Sequence, residues 1–453
     1  MENFSLISLI EELKQVTGGL VISRIIQHQP NGFILQTRFT KIPTLKIWLD
    51  PRTPAIYTSD ARPPIDQPTT DFTMVLRKHL NDARLIKIEK PLSERIVEMV
   101  FCTTLPAREL ETLILVVELI PNAPNMILLD KSRHVLATFA PLSVQHQIAD
   151  YEGYQYPTVT RKLSLETVCE NDAWFDQEEF SKKGKPWLIE HVSGIGPILA
   201  AEAVHRSTNK KEDLPGHLQR LIVALQQPSE RAWVYTLNPL SVLLTENKLN
   251  LLSQACFSPI ELFCLEKSHS SKSFTNMLDA TTAVYDELES RTLLEKVKAP
   301  KRRALKDRLR KLHIRTNRML HQLEQFEQNS EIQKNAQLLV SSGASMDDHH
   351  DKVKVVDYLD TETATREIQI NSSITLRENV SKMFKKYKKA NRGKLALKKQ
   401  LEEVDNLKHS LEKKANQLQS IKDWTSWFAL TGKPPKSKGR VTATPKKVWK
   451  RPT

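Results

Sequence analysis

Two stretches in the second half of this chain carry apolar residues at alternating steps of four and three, a spacing that few folds can use. The first runs Leu305, Leu309, Leu312, Thr316, Met319, Leu323, Phe326, and the second Leu397, Leu401, Val404, Lys408, Leu411, Ala415, Leu418. A 3.5-residue repeat sustained over this length is a coiled-coil seam, and the one polar residue in each run helps set its register. Between the runs, Ser341-Ser342-Gly343 breaks the helix and 353–358 alternates weakly, as a strand does. The expectation is two long helices pairing antiparallel, with a small middle module at 341–378. At 1.5 Å per residue, helices of about 45 residues make an arm of roughly 70 Å.

The same stretches hold the positive charge. The 453 residues include 67 Lys and Arg against 53 Asp and Glu, a formal charge of +14. Residues 295–318 hold 11 basic and two acidic side chains, 382–414 hold 12 and four, and 433–451 hold eight and none. Together these contribute +25 and leave the rest of the chain at −11. A mildly acidic body with basic extensions is the footprint of a binder of phosphate backbones. The plainer alternative is a solvated helix face followed by a disordered tail. A membrane partner is not expected, because the basic helices lack an interfacial Trp/Phe/Leu face. The apolar run 110–120 is too short to span a bilayer and contains Glu111 and Glu118. Four cysteines without a CxxC (Cys102, Cys169, Cys256, Cys264) suit a reducing compartment, and the start Met1-Glu2-Asn3 does not read as a secretory signal. The expected location is cytoplasmic.

The first 178 residues read as α+β. Apolar spacing predicts a helix over 4–16 and another over 72–81, the latter carrying Arg77, Lys78 and His79. Strands are expected at 33–39, 45–49, 84–89, 95–101, 112–120, 126–130 and 134–139, and the proline-rich 53–70 as an extended loop. A second module, 179–272, contains Gly194-Ile195-Gly196-Pro197 between two short helical patterns, the form of a helix-hairpin-helix. Its glycines permit close backbone approach, and the free N–H groups at the start of the second helix suit a phosphate. An ordinary tight helix connection is the alternative. The coiled coil then occupies 273–425 and a disordered basic tail 426–453. No Gly-x-Ser-x-Gly, His-Glu-x-x-His or P-loop is present, so no enzyme and no cofactor is expected. Asp347-Asp348-His349-His350-Asp351 has metal-ligand residue types but reads as a solvated turn.

The run Asp71-Phe72-Thr73-Met74-Val75-Leu76-Arg77-Lys78-His79-Leu80-Asn81-Asp82-Ala83-Arg84, followed by Glu94-Arg95-Ile96-Val97, resembles the NFACT family. That family is named also for fibronectin-binding protein A and includes ribosome quality control factors that recruit tRNA. Asn125-Met126-Ile127-Leu128-Leu129-Asp130, Gly153-Tyr154-Gln155-Tyr156-Pro157, Phe257-Ser258-Pro259-Ile260 and Glu378-Asn379-Val380 with Phe384-Lys385-Lys386-Tyr387-Lys388-Lys389 match it in order. The resemblance covers about residues 1–425.

It implies a glycosylase-like N-terminal fold, binding to the large ribosomal subunit with peptidyl-tRNA, and tRNA recruitment for C-terminal alanine tailing of stalled chains. The tRNA would meet Glu2, Arg77, Lys78, Glu94 and Arg95, with Arg95 reading phosphate or base and Glu94 supporting it. Gly194 and Gly196 would form a phosphate-binding hairpin. Arg302, Arg303, Lys385, Lys386, Lys388 and Lys389 would meet rRNA along the arm. The alternatives are a surface fibronectin-binding adhesin and a protein that binds ribosomes without tailing. Glycosylase chemistry is not expected, since Glu2-Asn3 offers no N-terminal proline amine. The chain departs from the family at four places. Glu94-Arg95 stands for Asp-Arg, Glu2-Asn3 for Asp-Gly and Pro124 for Ser, and the family's C-terminal RNA-binding domain would begin only near residue 435.

Overall fold

Leu6, Leu9, Ile10 and Leu13 fall on one face at helical spacing, and the chain opens with helix α1 (Asn3–Thr17). The opposite face is buried too, through Phe4 and Ile7, so α1 lies between two apolar clusters. The computed structural model describes residues 1–38, 44–59, 70–104, 110–142, 153–156, 162–170, 172–210, 213–246, 249–328, 330–358 and 365–432. Phe39, Pro157, the proline-rich 60–69 and the basic stretch 433–451 lie outside these. Within them the chain forms two compact units, Met1–Leu294 with the residues from Phe428, and Glu295–Trp427.

The first unit is α+β. Strands β1 (Ile22–Gln29), β2 (Gly32–Thr37), β3 (Thr44–Trp48) and β4 (Ala55–Ser59) form an antiparallel meander. Helix α2 (Asp71–Leu80) follows, started by the Thr70 side chain accepting from the Thr73 N–H. A second antiparallel meander holds β5 (Arg84–Glu89), β6 (Ile96–Thr104), β7 (Leu110–Glu118), β8 (Asn125–Asp130) and β9 (Val135–Thr138). Its register sets Val97 opposite Val117 and Phe101 opposite Leu113, which puts their side chains into the core with α1. Helices α3 (Leu165–Glu170), α4 (Gln177–Lys183), α5 (Lys185–His191), α6 (Pro197–Lys210) and α7 (Leu214–Leu225) enclose the second cluster. A three-stranded sheet of β10 (Ala232–Thr236), β11 (Cys256–Ser258) and β12 (Ser270–Phe274) completes the unit, with short helices α8 (Leu240–Glu246) and α9 (Leu249–Leu252). Among the strands of the two meanders, β1 has no counterpart in the sequence expectations, and β4 stands where the proline-rich segment reads as extended loop.

Helix α10 (Met277–Gln328) starts inside the first unit, where the Glu12 carboxylate accepts from the Met277 and Leu278 N–H groups at 3.0 Å each. These are two of the donors that a helix start leaves unpaired, and the negative charge suits the helix dipole there. About three turns further on, Glu289 packs against the β1–β4 sheet. It accepts from His28, from Lys46 Nζ at 3.0 Å and from Tyr57 OH at 2.8 Å, while Lys46 also reaches Asp286 at 2.9 Å.

The second unit is built from the continuation of α10, α11 (Ser330–Ser341), β13 (Lys352–Val356), β14 (Thr365–Gln369) and α12 (Leu376–Ser420); helix α13 (Trp424–Thr431) follows it. Helices α10 and α12 run antiparallel. At one end Lys298 Nζ donates to the Ile421 carbonyl at 2.8 Å; at the other Phe326 lies against Gly393. Between these, Leu312 and Met319 pack with Val404 and Leu411, flanked by Leu305, Leu309, Leu397 and Leu401. Every seam position named from the spacing is buried or half-buried, and the other residues of 301–326 are exposed. The β13–β14 hairpin packs Val353, Val355 and Ile368 on Leu338 and Leu339 of α11 and Leu376 and Val380 of α12. Among the described residues, no helix is long and apolar enough to cross a membrane.

The buried ion network gives a pH prediction. Burial alone raises the Glu289 carboxyl, but His28 and then Lys46 outweigh it and bring it down to about 2. A pKa lowered on folding contributes stability above the ordinary carboxylate range, and that contribution is lost as pH falls through that range toward 2. Denaturant unfolding of the wild type should therefore weaken between about pH 5 and pH 3. Glu289→Gln should lack most of that slope and be less stable at pH 7 by about 3 kcal/mol, since His28 and Lys46 stay buried with less counter-charge.

Candidate nucleic-acid interface

Residues 90–95 join β5 to β6 and lie outside the ladder between these strands, which ends at Glu89 opposite Glu98. Glu94 and Arg95 therefore sit in the turn ahead of β6, not on the strand the sequence suggested. The turn satisfies its backbone partly within the main chain, where the Glu94 N–H donates to the Pro91 carbonyl and the Arg95 carbonyl accepts from the Leu119 N–H, and partly through side chains from α1, from α3 and from the turn itself. Asn3 of α1 donates Nδ2 to the Leu92 carbonyl at 2.9 Å and to the Gly194 carbonyl at 3.1 Å. Lys90 donates Nζ to the Pro91 and Leu92 carbonyls at 2.8 and 3.1 Å. Glu166 of α3 accepts from the Leu92 N–H and from Ser93 Oγ, both at 3.2 Å, and Ser93 Oγ in turn accepts from the Leu165 N–H at 2.8 Å.

Out of this anchored turn the Arg95 guanidinium reaches Glu2, with Nη2 2.9 Å from Oε2. The pair is only part-exposed, with side chains 26% and 28% accessible. Beneath it passes the α5–α6 connection, held in place by a parallel bridge in which Leu163 N–H donates to His191 and Ser193 N–H to Leu163. Gly194 adopts φ +79°, and a Cβ there would lie 2.7 Å from Asn3 Nδ2 and 2.8 Å from the Ser93 carbonyl. A Cβ at Gly196 would lie 2.8 Å from Glu2 Oε2. Both glycines thus admit neighbouring protein atoms, and the Glu2 carboxylate rests just ahead of the α6 N-terminus, where an anion is favoured.

The charges in the turn influence one another. Burial lowers the Lys90 ammonium to about 7, with Glu94 and Glu166 pulling the other way and Arg95 adding to the shift. Burial also raises the Glu94 carboxyl above its usual range, opposed by Lys90 and reinforced by Glu166. The arrangement offers a guanidinium, a carboxylate and a cluster of fixed backbone groups on one part-exposed surface.

Four of the residues named from the sequence, Glu2, Arg95, Gly194 and Gly196, meet here, with Glu94 beside them in the turn. Arg77 and Lys78 sit on α2 instead. Arg77 donates Nε to the Ile25 carbonyl of β1 at 2.7 Å, and Lys78 is exposed. Lys90, Ser93 and Glu166 are not among the residues named from the sequence, and Asn3 enters there only as a departure from the family's pattern. Their partners lie up to 191 residues away, and no local pattern marks them.

In the second unit, Arg303, Lys385, Lys386, Lys388 and Lys389 are exposed, and among the described residues none of them is in an ion pair. Arg302 is exposed and pairs with Glu295 at 3.3 Å.

Gly194→Ala tests the close approach. A non-glycine residue in the left-handed region costs about 1–3 kcal/mol, and the Asn3 amide and Ser93 backbone leave the new methyl no space. Denaturant unfolding should show a loss of at least that size, whereas Gly184→Ala, at φ +64° with open space around it, should show only the backbone cost.

Residues 2–429 match the family model described as the NFACT N-terminal and middle domains. The chain is similar to the Rqc2 homolog RqcH of Bacillus subtilis (strain 168), 23% identical over 344 residues that cover 74% of this chain and 56% of that protein. It is also similar to the Rqc2 homolog RqcH of Streptococcus pneumoniae (strain ATCC BAA-255 / R6), 22% identical over 330 residues, 71% of this chain and 54% of the relative. The chain therefore spans about half the length of these curated relatives. In fold it is like the fibrinogen binding protein from Staphylococcus aureus, with a TM-score of 0.50 and 16% identity, over 63% of this chain and 98% of that one.

Proposed function

The chain belongs to the NFACT family, whose N-terminal and middle domains it matches over residues 2–429, and from that premise we propose that it is a cytoplasmic, ribosome-associated RNA-binding protein of the quality-control type. It binds an obstructed large ribosomal subunit with peptidyl-tRNA and recruits tRNA for C-terminal tailing of the stalled chain. It is not an enzyme in this role; the peptide bonds are made by the ribosome. The observation that carries the reading is Arg95. Its guanidinium is held by one carboxylate on an anchored turn and keeps further N–H donors for phosphate or a guanine edge. Glu94 supports the turn. The Gly194–Gly196 connection is read as a helix-hairpin-helix that braces this site, and α10 with α12 as a coiled-coil arm. The exposed, unpaired cations of the arm supply the electrostatic attraction to rRNA.

Sucrose-gradient sedimentation with identification of the bound RNA tests the whole reading. Recovery with the large subunit and tRNA supports it; recovery at the cell surface, away from ribosomal fractions, sinks it. Arg95→Ala should lower tRNA retention by about ten- to a hundredfold, the value of a bidentate arginine contact, while leaving large-subunit binding in place. Arg95→Lys should restore only part, because an ammonium lacks the planar fork.

The arm is tested separately. Replacing Lys385, Lys386, Lys388 and Lys389 with Gln should reduce the slope of log affinity for the large subunit against log salt by about three units. An unchanged slope means that these lysines face solvent only.

A further inference from the structure

Asn3 is 98% removed from solvent, yet it stands at the first position of α1, beside the residue that pairs with Arg95. Its amide nitrogen donates to two carbonyls, one in the arginine turn and one in the α5–α6 connection. Its own carbonyl oxygen Oδ1 is buried and has no hydrogen-bond partner among the described residues. A core-facing amide that leaves one polar atom unpaired costs stability that an apolar residue would not. What the amide provides in return is geometry. The Leu92 carbonyl receives both Asn3 Nδ2 and Lys90 Nζ, so both of its lone pairs are used. The Gly194 carbonyl is drawn to the same NH₂ group from the other side.

From this we infer that Asn3 is a positioning residue for Arg95: its amide locks the 90–95 turn to the Gly194 connection, while Glu2 next to it orients the guanidinium. The two consecutive residues divide the work. Glu2 holds the side chain by its Nη2, and Asn3 holds the backbone from which that side chain extends. Gly194 is part of the same device, since any Cβ there would displace the Asn3 amide. Bidentate recognition tolerates little misplacement, and an error of about 1 Å in a positioned group can cost on the order of 100-fold. Asn3 therefore acts on RNA through Arg95 and touches no RNA itself.

The inference rests on the tRNA reading above, and the experiment separates the two. Asn3→Asp keeps the size of the side chain but turns a carboxylate toward the Leu92 and Gly194 carbonyls and removes the donor. With full-length protein bound to large subunits, tRNA retention should fall about tenfold at pH 7.5, with subunit binding through the arm unchanged. Lowering the pH protonates the new carboxyl and returns one O–H donor to the site. Retention relative to wild type at the same pH should then recover between pH 7 and about pH 5, because burial beside carbonyl oxygens raises a carboxyl. A general loss of folding would lower the melting temperature and the recovery of the protein with large subunits together with tRNA retention, whereas loss of positioning lowers tRNA retention alone. Asn3→Leu, which fills the space and carries no donor, should lose tRNA at every pH. If Arg95→Ala loses tRNA and Asn3→Asp does not, the positioning role is wrong and the tRNA reading stands. If Arg95→Ala also keeps tRNA, both fail.

Discussion

The helix that opens the chain is buried on both faces, so the polar groups it carries inward are cut off from water and most of them bond inside the protein. Its apolar residues divide between two clusters, Leu6, Leu9, Ile10 and Leu13 with the sheets and Phe4 and Ile7 with the helices. Its polar residues then decide what else is held. Ser5 donates to the Phe257 carbonyl of β11. Glu12 caps the start of α10, so the longest helix begins on a carboxylate supplied by the first. Asn3 ties the arginine turn to the α5–α6 connection. The same burial that builds the core thus places both the root of α10 and the turn that carries Arg95.

In the proposed function, the two units do different physical work. The exposed cations of α10 and α12 act through net charge, at a distance and with strong salt dependence, and do not depend on the position of any one side chain. Arg95 acts through position. A charge held by Glu2 and set on a turn with no ladder bonds gains nothing from the long-range field. Its value lies in where its donors point. That difference explains why the arm tolerates a run of interchangeable lysines, whereas the turn is fixed by a lysine, a glutamate and an asparagine that each make two bonds.

Some of this was legible in the sequence and some was not, for reasons visible in particular residues. The seam positions from Leu305 to Phe326 and from Leu397 to Leu418 are the ones the structure buries, because a helix repeats its burial at a fixed period. Strand β1 escaped notice because it ends in Gln27, His28 and Gln29, which read as surface residues. Each is buried, Gln27 against Thr70 and Thr73 and His28 against Glu289. Strand β4 was hidden by the prolines around it, although Pro54 precedes its first residue and so removes no donor from it. Glu94 and Arg95 were recognised as a pair but placed on a strand. The structure puts them in a turn outside the β5–β6 ladder, where side chains hold Pro91 to Ser93, the Glu94 N–H donates to the Pro91 carbonyl and the Arg95 carbonyl accepts from the Leu119 N–H.

By itself the sequence determined the arm and its charge. Periodicity and charge runs are local and repeated, so each turn of α10 and α12 restates the same information and the signal accumulates. It also gave the first helix an apolar face, while its burial on a second face, through Phe4 and Ile7, belongs to the fold. Only the tertiary structure decided that Glu2, Asn3, the Glu94–Arg95 turn, Glu166 and the Gly194–Gly196 connection share one surface. Their partners are between 72 and 191 residues apart, and a hydrogen bond across such a distance leaves no period to read. The strength of those bonds depends on exclusion of water, which belongs to the packed fold and to no residue alone.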